Sequence, residues 1–198
     1  MSQMSKGSQM RIAITGTIGS GKSLVGEYLQ SKDFYVFDCD KYNKYLLENN
    51  KDVFNSIFKE LPDCIDHLTI NKKKLANIVF KDKNKREILE NILHPLILAK
   101  LIEESNKHDL FFAEVPLLFE KNLQKNFDLS ILIVSNEKIS RFRLAEKGYS
   151  QEEIDNRELS QLPVQEKIKK ADEIIYNNGS CRDLFKEIDK LLIKYDWE

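Results

Sequence analysis

The sequence predicts an α/β fold in which helices flank a parallel sheet and a helical lobe is inserted into that sheet. Short apolar runs alternate with amphipathic stretches along the 198 residues, which is typical of a parallel sheet wrapped by helices. The first apolar run leads into a glycine-rich turn and then into helical spacing. Residues 40–108 carry helical patterns but no convincing strand. Together these observations predict one domain with an insertion.

The individual elements follow from periodicity and length. Strands are predicted at the apolar runs 11–15, 34–37, 110–114, 129–134 and 173–176. Helices are predicted from 22 to about 31, over 136–147 and over 181–195. A crossover between parallel strands needs only about a dozen residues. The much longer segment between the second and third strands is therefore predicted to be a lobe of its own.

Residues 16–23 read Gly-Thr-Ile-Gly-Ser-Gly-Lys-Ser and match the phosphate-binding pattern G-x-x-x-x-G-K-[ST]. Glycines let the backbone approach closely, so several N–H groups and the positive end of the next helix converge on one anion. Lys22 can reach the β- and γ-phosphates, and the Ser23 hydroxyl can bind Mg²⁺. The loop therefore predicts a P-loop NTPase-type fold that binds a nucleoside triphosphate. The predicted binding residues are Thr17, Ile18, Gly19, Ser20, Gly21, Lys22, Ser23 and Leu24.

The composition fits one cytoplasmic α/β domain. A formal net charge of −1, with acidic and basic residues mixed, argues against a nucleic-acid partner. Cys39, Cys64 and Cys181 are scattered, which predicts reduced thiols rather than zinc ligands or disulfides. The sequence shows neither an apolar run of membrane-spanning length nor a signal-peptide pattern. Residues 1–9 are polar and are interpreted as an added leader before a native start at Met10.

Residues 10–198 are predicted to form a single domain with three parts. The core comprises residues 10–39 and 109–198, the inserted lobe about 40–108, and a charged helical lid about 148–170. Inserted lobes on nucleotide-binding sheets often hold the second substrate, so this lobe is predicted to do so. It contains His94, which taken alone is more often structural than a ligand, and Pro95, which predicts a helix break.

Three carboxylates follow predicted strands at the edge where such sheets bind ligands. Asp38 and Asp40 are expected to end the second strand and face the loop. One could accept a proton from an attacking hydroxyl and the other could hold a metal-bound water, or one could merely cap a helix beginning near Lys41. Glu114 ends the third strand, where an acid that holds Mg²⁺ through water would lie.

Other candidate residues come later in the chain. Pro116 is expected to end the third strand because it has no N–H for the ladder. The next three residues are expected to pack in the core, and Glu120 after them could belong to the site. Arg143 shares a helix with other cations, which could stabilise a moving phosphoryl group or form a solvated face. Gln161 lies one helical turn after Arg157. Asn177 begins a turn that could touch the nucleotide base.

The set as a whole resembles the dephospho-CoA kinases, from Met10 onward. The resemblance rests on elements in order along the chain: the loop at 16–23, Asp38-Cys39-Asp40, residues 75–80, His94-Pro95, Pro116-Leu117-Leu118-Phe119-Glu120, Arg143, Arg157, Gln161, Ala171-Asp172 and Asn177-Asn178-Gly179. The loop alone indicates only a nucleotide, whereas the ordered set indicates the family.

The resemblance implies ATP-dependent phosphorylation of the ribose 3′-hydroxyl of dephospho-CoA, giving coenzyme A and ADP, with Mg²⁺ as the cofactor. The catalytic residues it implies are Lys22, Asp40 as the base, Asp38 and Arg143. It places Asn177 on ATP, and Ser23, Asp38 and Glu114 on the metal. The acceptor-binding residues it implies are Asp40, Lys44, Lys72, His94, Pro116 and Leu117. A monomer or weak homo-oligomer is expected.

The sequence departs from the family pattern mainly at cations. Lys44, Lys72 and Lys147 stand where the family customarily has arginine, and Cys39 replaces an alanine. Lysine keeps the charge but loses planar bidentate geometry, so these departures concern the contacts with the acceptor rather than those with the nucleotide.

Two other functions fit parts of the sequence. A small P-loop kinase of nucleosides, nucleotides or shikimate-like alcohols would share the loop and Asp40, but should lack the element at 116–120 and the long insertion. A GTP-dependent switch protein would need an Asn-Lys-x-Asp motif. The nearest string, Asn71-Lys72-Lys73-Lys74, ends in lysine and follows no apolar strand.

Overall fold

The computed structural model of the protein describes residues 9–197, so the predicted leader lies outside the described residues except for Gln9. The chain divides into two compact units, one built from residues 9–38 and 105–197 and the other from residues 39–104.

The strands, in chain order, are β1 (Met10–Gly16), β2 (Val36–Asp38), β3 (Ile65–Asp66), β4 (Thr69–Ile70), β5 (Leu110–Glu114), β6 (Leu129–Val134) and β7 (Glu173–Tyr176). The α-helices are α1 (Lys22–Ser31), α2 (Cys39–Asn49), α3 (Lys51–Glu60), α4 (Lys72–Lys81), α5 (Lys83–Ser105), α6 (Glu137–Glu146), α7 (Gln151–Leu159), α8 (Val164–Ile168) and α9 (Cys181–Lys194). Short 3-10 helices cover Pro62–Cys64 and Leu123–Asn126.

A parallel sheet in the order β2-β5-β1-β6-β7 forms the centre of the first unit, which confirms the predicted α/β fold. β6 is buried along its whole length, and β1 is buried from Ile12 onward. Burial on both faces explains why these strands read as continuous apolar runs. The carboxyl ends of β1, β2 and β5 lie at one edge, where Asp38 is in register with Glu114.

The second predicted strand is shifted by two residues at its start. The N–H of Phe34 donates to the carbonyl of Leu29 and closes the end of α1, so Phe34 does not begin the ladder. Pairing starts at Val36 and extends through Asp38. The strand therefore ends at the first carboxylate of the Asp-Cys-Asp sequence, and Asp40 lies in the first turn of α2.

The second unit is helical, as predicted, with two corrections. A small core of apolar side chains, including Leu46, Ile57 and Leu93, holds its helices together. The expectation of no strand was wrong, because β3 and β4 form a short hairpin whose turn residues, His67 and Leu68, both have positive φ. Such turns usually contain Asn or Gly, so the sequence carried no hairpin signal. The helix break expected at Pro95 was also wrong, since α5 runs through it.

The lid segment predicted at about 148–170 contains α7 and α8, within the first unit. Its motion as a lid, and a substrate role for the second unit, stay predictions. All three cysteines are free thiols. Among the helices of residues 9–197, none is long and apolar enough to cross a membrane.

Candidate active site

The predicted phosphate-binding loop connects β1 to α1 at the carboxyl edge of the sheet. Gly19 and Gly21 have positive φ, 71° and 96°, which side chains other than glycine rarely adopt. A Cβ at Gly21 would also overlap the side-chain amide of Asn177. A Cβ at Gly19 would lie 2.7 Å from the carbonyl oxygen of Ser140, so both glycines meet a spatial need as well as a conformational one.

The loop is supported from the end of β7. Asn177 is buried, and its Nδ2 donates to the carbonyl of Ser20 at 2.7 Å. The hydroxyl of Ser135 donates to the carbonyl of Asn177 at 2.7 Å. Arg143 Nη1 donates to Ser135 Oγ at 3.0 Å and to the Asn177 carbonyl at 3.1 Å. Asn177 and Arg143 thus brace the loop region through protein contacts, and their roles toward the nucleotide stay predictions.

Lys22 and Glu114 form an ion pair at the start of α1. The distance from Lys22 Nζ to Glu114 Oε2 is 2.9 Å, and only 4% of Glu114 is exposed. Burial raises the pKa of Glu114 above its ordinary value, while the charge of Lys22 and hydrogen bonds from Lys22 and Ser23 oppose that rise. The structure therefore brings together three residues that the sequence assigned to the phosphate and metal site.

These residues offer oxygen donors of the kind that Mg²⁺ takes. Asp38 and Glu114 are neighbours across β2 and β5, and the charge of Asp38 acts on Glu114, to which Ser23 also hydrogen-bonds. Two carboxylates and a hydroxyl suit a cation that usually keeps several waters and binds phosphate oxygens. Among residues 9–197, no cluster of three or more histidine, cysteine, aspartate or glutamate side chains could form an all-protein metal cage.

Gly26 is a site residue that the sequence reasoning missed. It lies inside α1, directly against the carboxylate of Glu114, and a Cβ at this position would overlap Oε1 and come 2.9 Å from Cδ. Glycine inside a helix is unfavourable, so its presence in the middle of α1 was an available signal of close packing.

Two cations, Arg141 of α6 and Arg157 of α7, have partners in the lid segment. Arg141 Nη2 donates to Asp155 at 2.8 Å and also to Glu158, which ties α6 to α7. Arg157 lies over the ring of Tyr149, 4.8 Å from its centroid. These contacts hold the lid segment together. The cations therefore form more than a solvated helix face.

The lid segment also contacts the loop and the residues after β5. Gln161 Oε1 accepts the N–H of Ile18 at 3.2 Å. Glu120 Oε1 accepts the N–H of Leu162 at 2.9 Å and lies 2.8 Å from Nζ of the fully buried Lys167. The sequence suggested a role for Glu120, but the buried Lys167 was hidden in a highly charged helical stretch.

Pro116 and Leu117, which the resemblance placed on the acceptor, lie half-buried after the end of β5. The next two residues, Leu118 and Phe119, are buried in the core, as expected. The half-buried pair is thus accessible in part, beside the carboxyl edge of the sheet.

In the second unit, the predicted acceptor-binding residues are on the surface. Asp40 and Lys44 are exposed and lie one turn apart on α2, followed by Glu48. A hydrogen bond from Lys72 holds the pKa of Glu48 below its ordinary value, and the charge of Lys44 adds to this. His94 is exposed on α5. Asp40, Lys44, Glu48 and Lys72 therefore form one charged strip.

Comparison with known proteins identifies the family from the sequence, and a solved structure shares the fold. The family model described as dephospho-CoA kinase matches residues 10–183. A dephospho-CoA kinase of Aquifex aeolicus is 34% identical over 91% of this chain and 95% of its own length. One from Fusobacterium nucleatum is 37% identical over 91% and 96%. A crystal structure of a Thermus thermophilus protein has a TM-score of 0.84 and 32% identity, covering 94% of this chain and 98% of its own.

The similarity to shikimate kinase is one of fold alone. The Acinetobacter baumannii enzyme, solved in complex with shikimate, has a TM-score of 0.54 but only 14% identity over 96% of each chain. The fold is thus shared with a shikimate kinase, whereas the sequence similarity is to dephospho-CoA kinases.

Proposed function

The chain belongs to the dephospho-CoA kinase family, and we propose how its residues perform the reaction of that family. It transfers the γ-phosphoryl group of ATP to the ribose 3′-hydroxyl of dephospho-CoA, giving coenzyme A and ADP. The observation that carries the assignment of roles is the meeting of Lys22, Ser23 and Glu114 at the phosphate-binding loop, with Asp38 beside Glu114 in the sheet.

The nucleotide is bound by the loop and by Lys22. Residues 17–24 form the loop, whose backbone N–H groups after Ile18 surround the phosphates, and Lys22 reaches the β- and γ-phosphates. Asn177 holds the loop from behind through Ser20, which keeps these N–H groups in place. Ser23, Asp38 and Glu114 would hold Mg²⁺, which would supply positive charge to the phosphates. Arg143 adds positive charge on the side of the β7 turn.

The acceptor hydroxyl is activated by a carboxylate at the start of the second unit. Asp40 is the proposed base because it is exposed and lies in the first turn of α2, directly after the strand end. Asp38 would then hold the metal. The reverse assignment, with Asp38 as the base, remains the alternative. A carboxylate in either position orients the hydroxyl and takes its proton as the bond to phosphorus forms.

The charged strip on α2 and α4 is proposed to hold the diphosphate of dephospho-CoA. Lys44 would supply most of the positive charge for the diphosphate, because Lys72 is paired with Glu48. His94, Pro116 and Leu117 would complete the acceptor site. We further propose that the protein works in the cytoplasm as a monomer or weak homo-oligomer, since its near-zero net charge offers little attraction for nucleic acid or a membrane surface.

The direct test is product formation from MgATP and dephospho-CoA, followed by mass detection of coenzyme A. The wild type should form it, and Lys22→Ala should lose activity, with Lys186→Ala, an exposed lysine on α9, as the matched control. Adenosine, AMP and shikimate serve as competing acceptors. Better phosphorylation of any of these than of dephospho-CoA would overturn the proposal in favour of a general small-molecule kinase.

A further inference from the structure

The carboxamide of Gln161 lies on the phosphate-binding loop. Its Oε1 accepts the N–H of Ile18 at 3.2 Å, although the two residues are 143 positions apart in the chain. Ile18 is the third residue of the loop, directly before the N–H groups that cradle phosphates. A polar side chain from the segment after α7 therefore takes part in forming this region of the loop.

Gln161 is held in this position from both sides. Its own N–H donates to the carbonyl of Glu158 at 3.1 Å. The next residue, Leu162, donates its N–H to Glu120 Oε1 at 2.9 Å, and Glu120 is paired at 2.8 Å with Lys167, whose side chain is fully buried. Removing one member of a buried ion pair is costly, because the other charge is left uncompensated. The backbone around Gln161 is thus fixed to the core of the first unit.

The other end of the carboxamide remains available for a ligand. Nε2 of Gln161 has two N–H donors, and within residues 9–197 no protein acceptor contacts them. Because Oε1 and Nε2 share one carbon, Nε2 must lie beside the Ile18 N–H, next to the phosphate-binding loop. A neutral donor held in advance at such a place favours negative charge without requiring reorganisation.

We propose that Gln161 is a further nucleotide-binding residue, whose Nε2 donates to the terminal phosphate of ATP while its Oε1 holds the Ile18 N–H. This inference rests on the proposed function in taking ATP as the donor. The terminal phosphate is the partner because the loop residues that follow Ile18, together with the start of α1, cradle the inner phosphates. Glu120 and Lys167 act as positioning residues, since they fix the backbone of Leu162 without reaching the nucleotide.

The test compares binding of ADP with binding of AMP-PNP, a non-hydrolysable triphosphate, by titration calorimetry in the presence of Mg²⁺. Gln161→Ala should weaken AMP-PNP binding about ten- to a hundredfold, the usual effect of one lost hydrogen bond to a charged group, and change ADP binding less than about twofold. Gln161→Glu, which can accept but cannot donate, should weaken AMP-PNP binding at least as much. Gln165→Ala, an exposed glutamine on α8, is the matched control and should change neither.

The positioning role is tested with Glu120→Gln, whose side-chain oxygen can still accept the Leu162 N–H but leaves Lys167 without its counter-charge. The selective loss for AMP-PNP should appear here too, in smaller size, and the double variant Glu120→Gln/Lys167→Met should recover part of it. If Glu120→Gln lowers the melting temperature but leaves the affinity for each nucleotide as in the wild type, the role is merely structural and the positioning assignment is overturned.

Three results would overturn the role of Gln161: equal weakening of both nucleotides by Gln161→Ala, no change in either, or tighter binding of both. The last would mean that the carboxamide competes with phosphate for the Ile18 N–H. None of these measurements needs the acceptor. Failure of the wild type to make coenzyme A would therefore refute the proposed function while the comparison of ADP with AMP-PNP still decides the role of Gln161.

Discussion

Gly26 gives the sharpest test of how the phosphate site is packed. It lies in the interior of α1, where its missing side chain leaves room for the buried carboxylate of Glu114. A Cβ at this position would overlap Glu114 Oε1 and lie 2.9 Å from Cδ, so Gly26→Ala must displace the carboxylate. Because that carboxylate is paired with Lys22 at 2.9 Å, the displacement would reach the lysine that is proposed to bind phosphate.

Two effects of opposite sign decide the stability of this variant. Alanine is better than glycine inside a helix by about 1 kcal/mol. Overpacking a buried site costs roughly 1–3 kcal/mol, and disturbing a buried charge pair adds to that cost. We therefore expect Gly26→Ala to be less stable than the wild type by about 1 kcal/mol. Turnover should fall about 100-fold, since a shift of about 1 Å in a catalytic group can have that effect.

Stability is measured by urea unfolding, and turnover by coenzyme A formation. The neighbouring exposed residue Glu27 provides the reference, because comparing Glu27→Ala with Glu27→Gly measures the helix preference of α1 without the clash. The reasoning is refuted if Gly26→Ala raises the stability by the difference measured between Glu27→Gly and Glu27→Ala and keeps full turnover. The close approach of Glu114 would then not matter for function.

The remaining predictions concern the base, the acceptor and the support of α1. Asp40→Asn should lower turnover by about 10²–10⁴-fold, and calorimetry should show that the affinity for ATP is retained. If Asp38→Asn has this effect instead, the two aspartates exchange roles. Lys44→Ala and His94→Ala should raise the Michaelis constant for dephospho-CoA about ten- to a hundredfold but not that for ATP, and equal effects on both would refute a role in acceptor binding. Burial raises the pKa of Asp189, but hydrogen bonds from Tyr28 and a lysine outweigh it and leave the pKa lowered. This stabilisation is present above the ordinary aspartate pKa and is lost as the pH falls through the lowered value. Asp189→Asn should therefore cost roughly 0.5–1 kcal/mol in urea unfolding at neutral pH and nothing in strong acid; a pH-independent difference would contradict the assignment.

Periodicity was enough to predict the central elements of the sheet. β5, β6 and β7 begin and end where the apolar runs do. For β5 and β6 the reason is burial, because buried parallel strands read as continuous apolar runs. The start of β2 could not be read this way, since Phe34 is apolar but its N–H closes α1. This hydrogen bond is a local helix-ending contact beside Asp33, whose φ is positive, and the pattern of apolar side chains does not show it.

The same distinction separates the predicted from the missed parts of the site. Lys22 and Ser23 followed from a local motif, and Glu114 from its place at the end of a strand. Gly26 and Lys167 matter because of what packs against them from distant parts of the chain, a carboxylate in one case and Glu120 in the other. Pairings over such separations are fixed by the folded sheet rather than by local spacing.

The Lys22–Glu114 pair sets a condition on nucleotide binding. A triphosphate that reaches Lys22 brings its negative charge beside the buried carboxylate of Glu114, with Asp38 adjacent in the sheet. Repulsion between like charges is strong where water is largely excluded. Lys22 alone cannot neutralise both the carboxylate and the phosphates, because a single positive charge faces several negative ones. A divalent cation would supply the missing positive charge, so we expect the metal complex of ATP to bind more tightly than the free triphosphate.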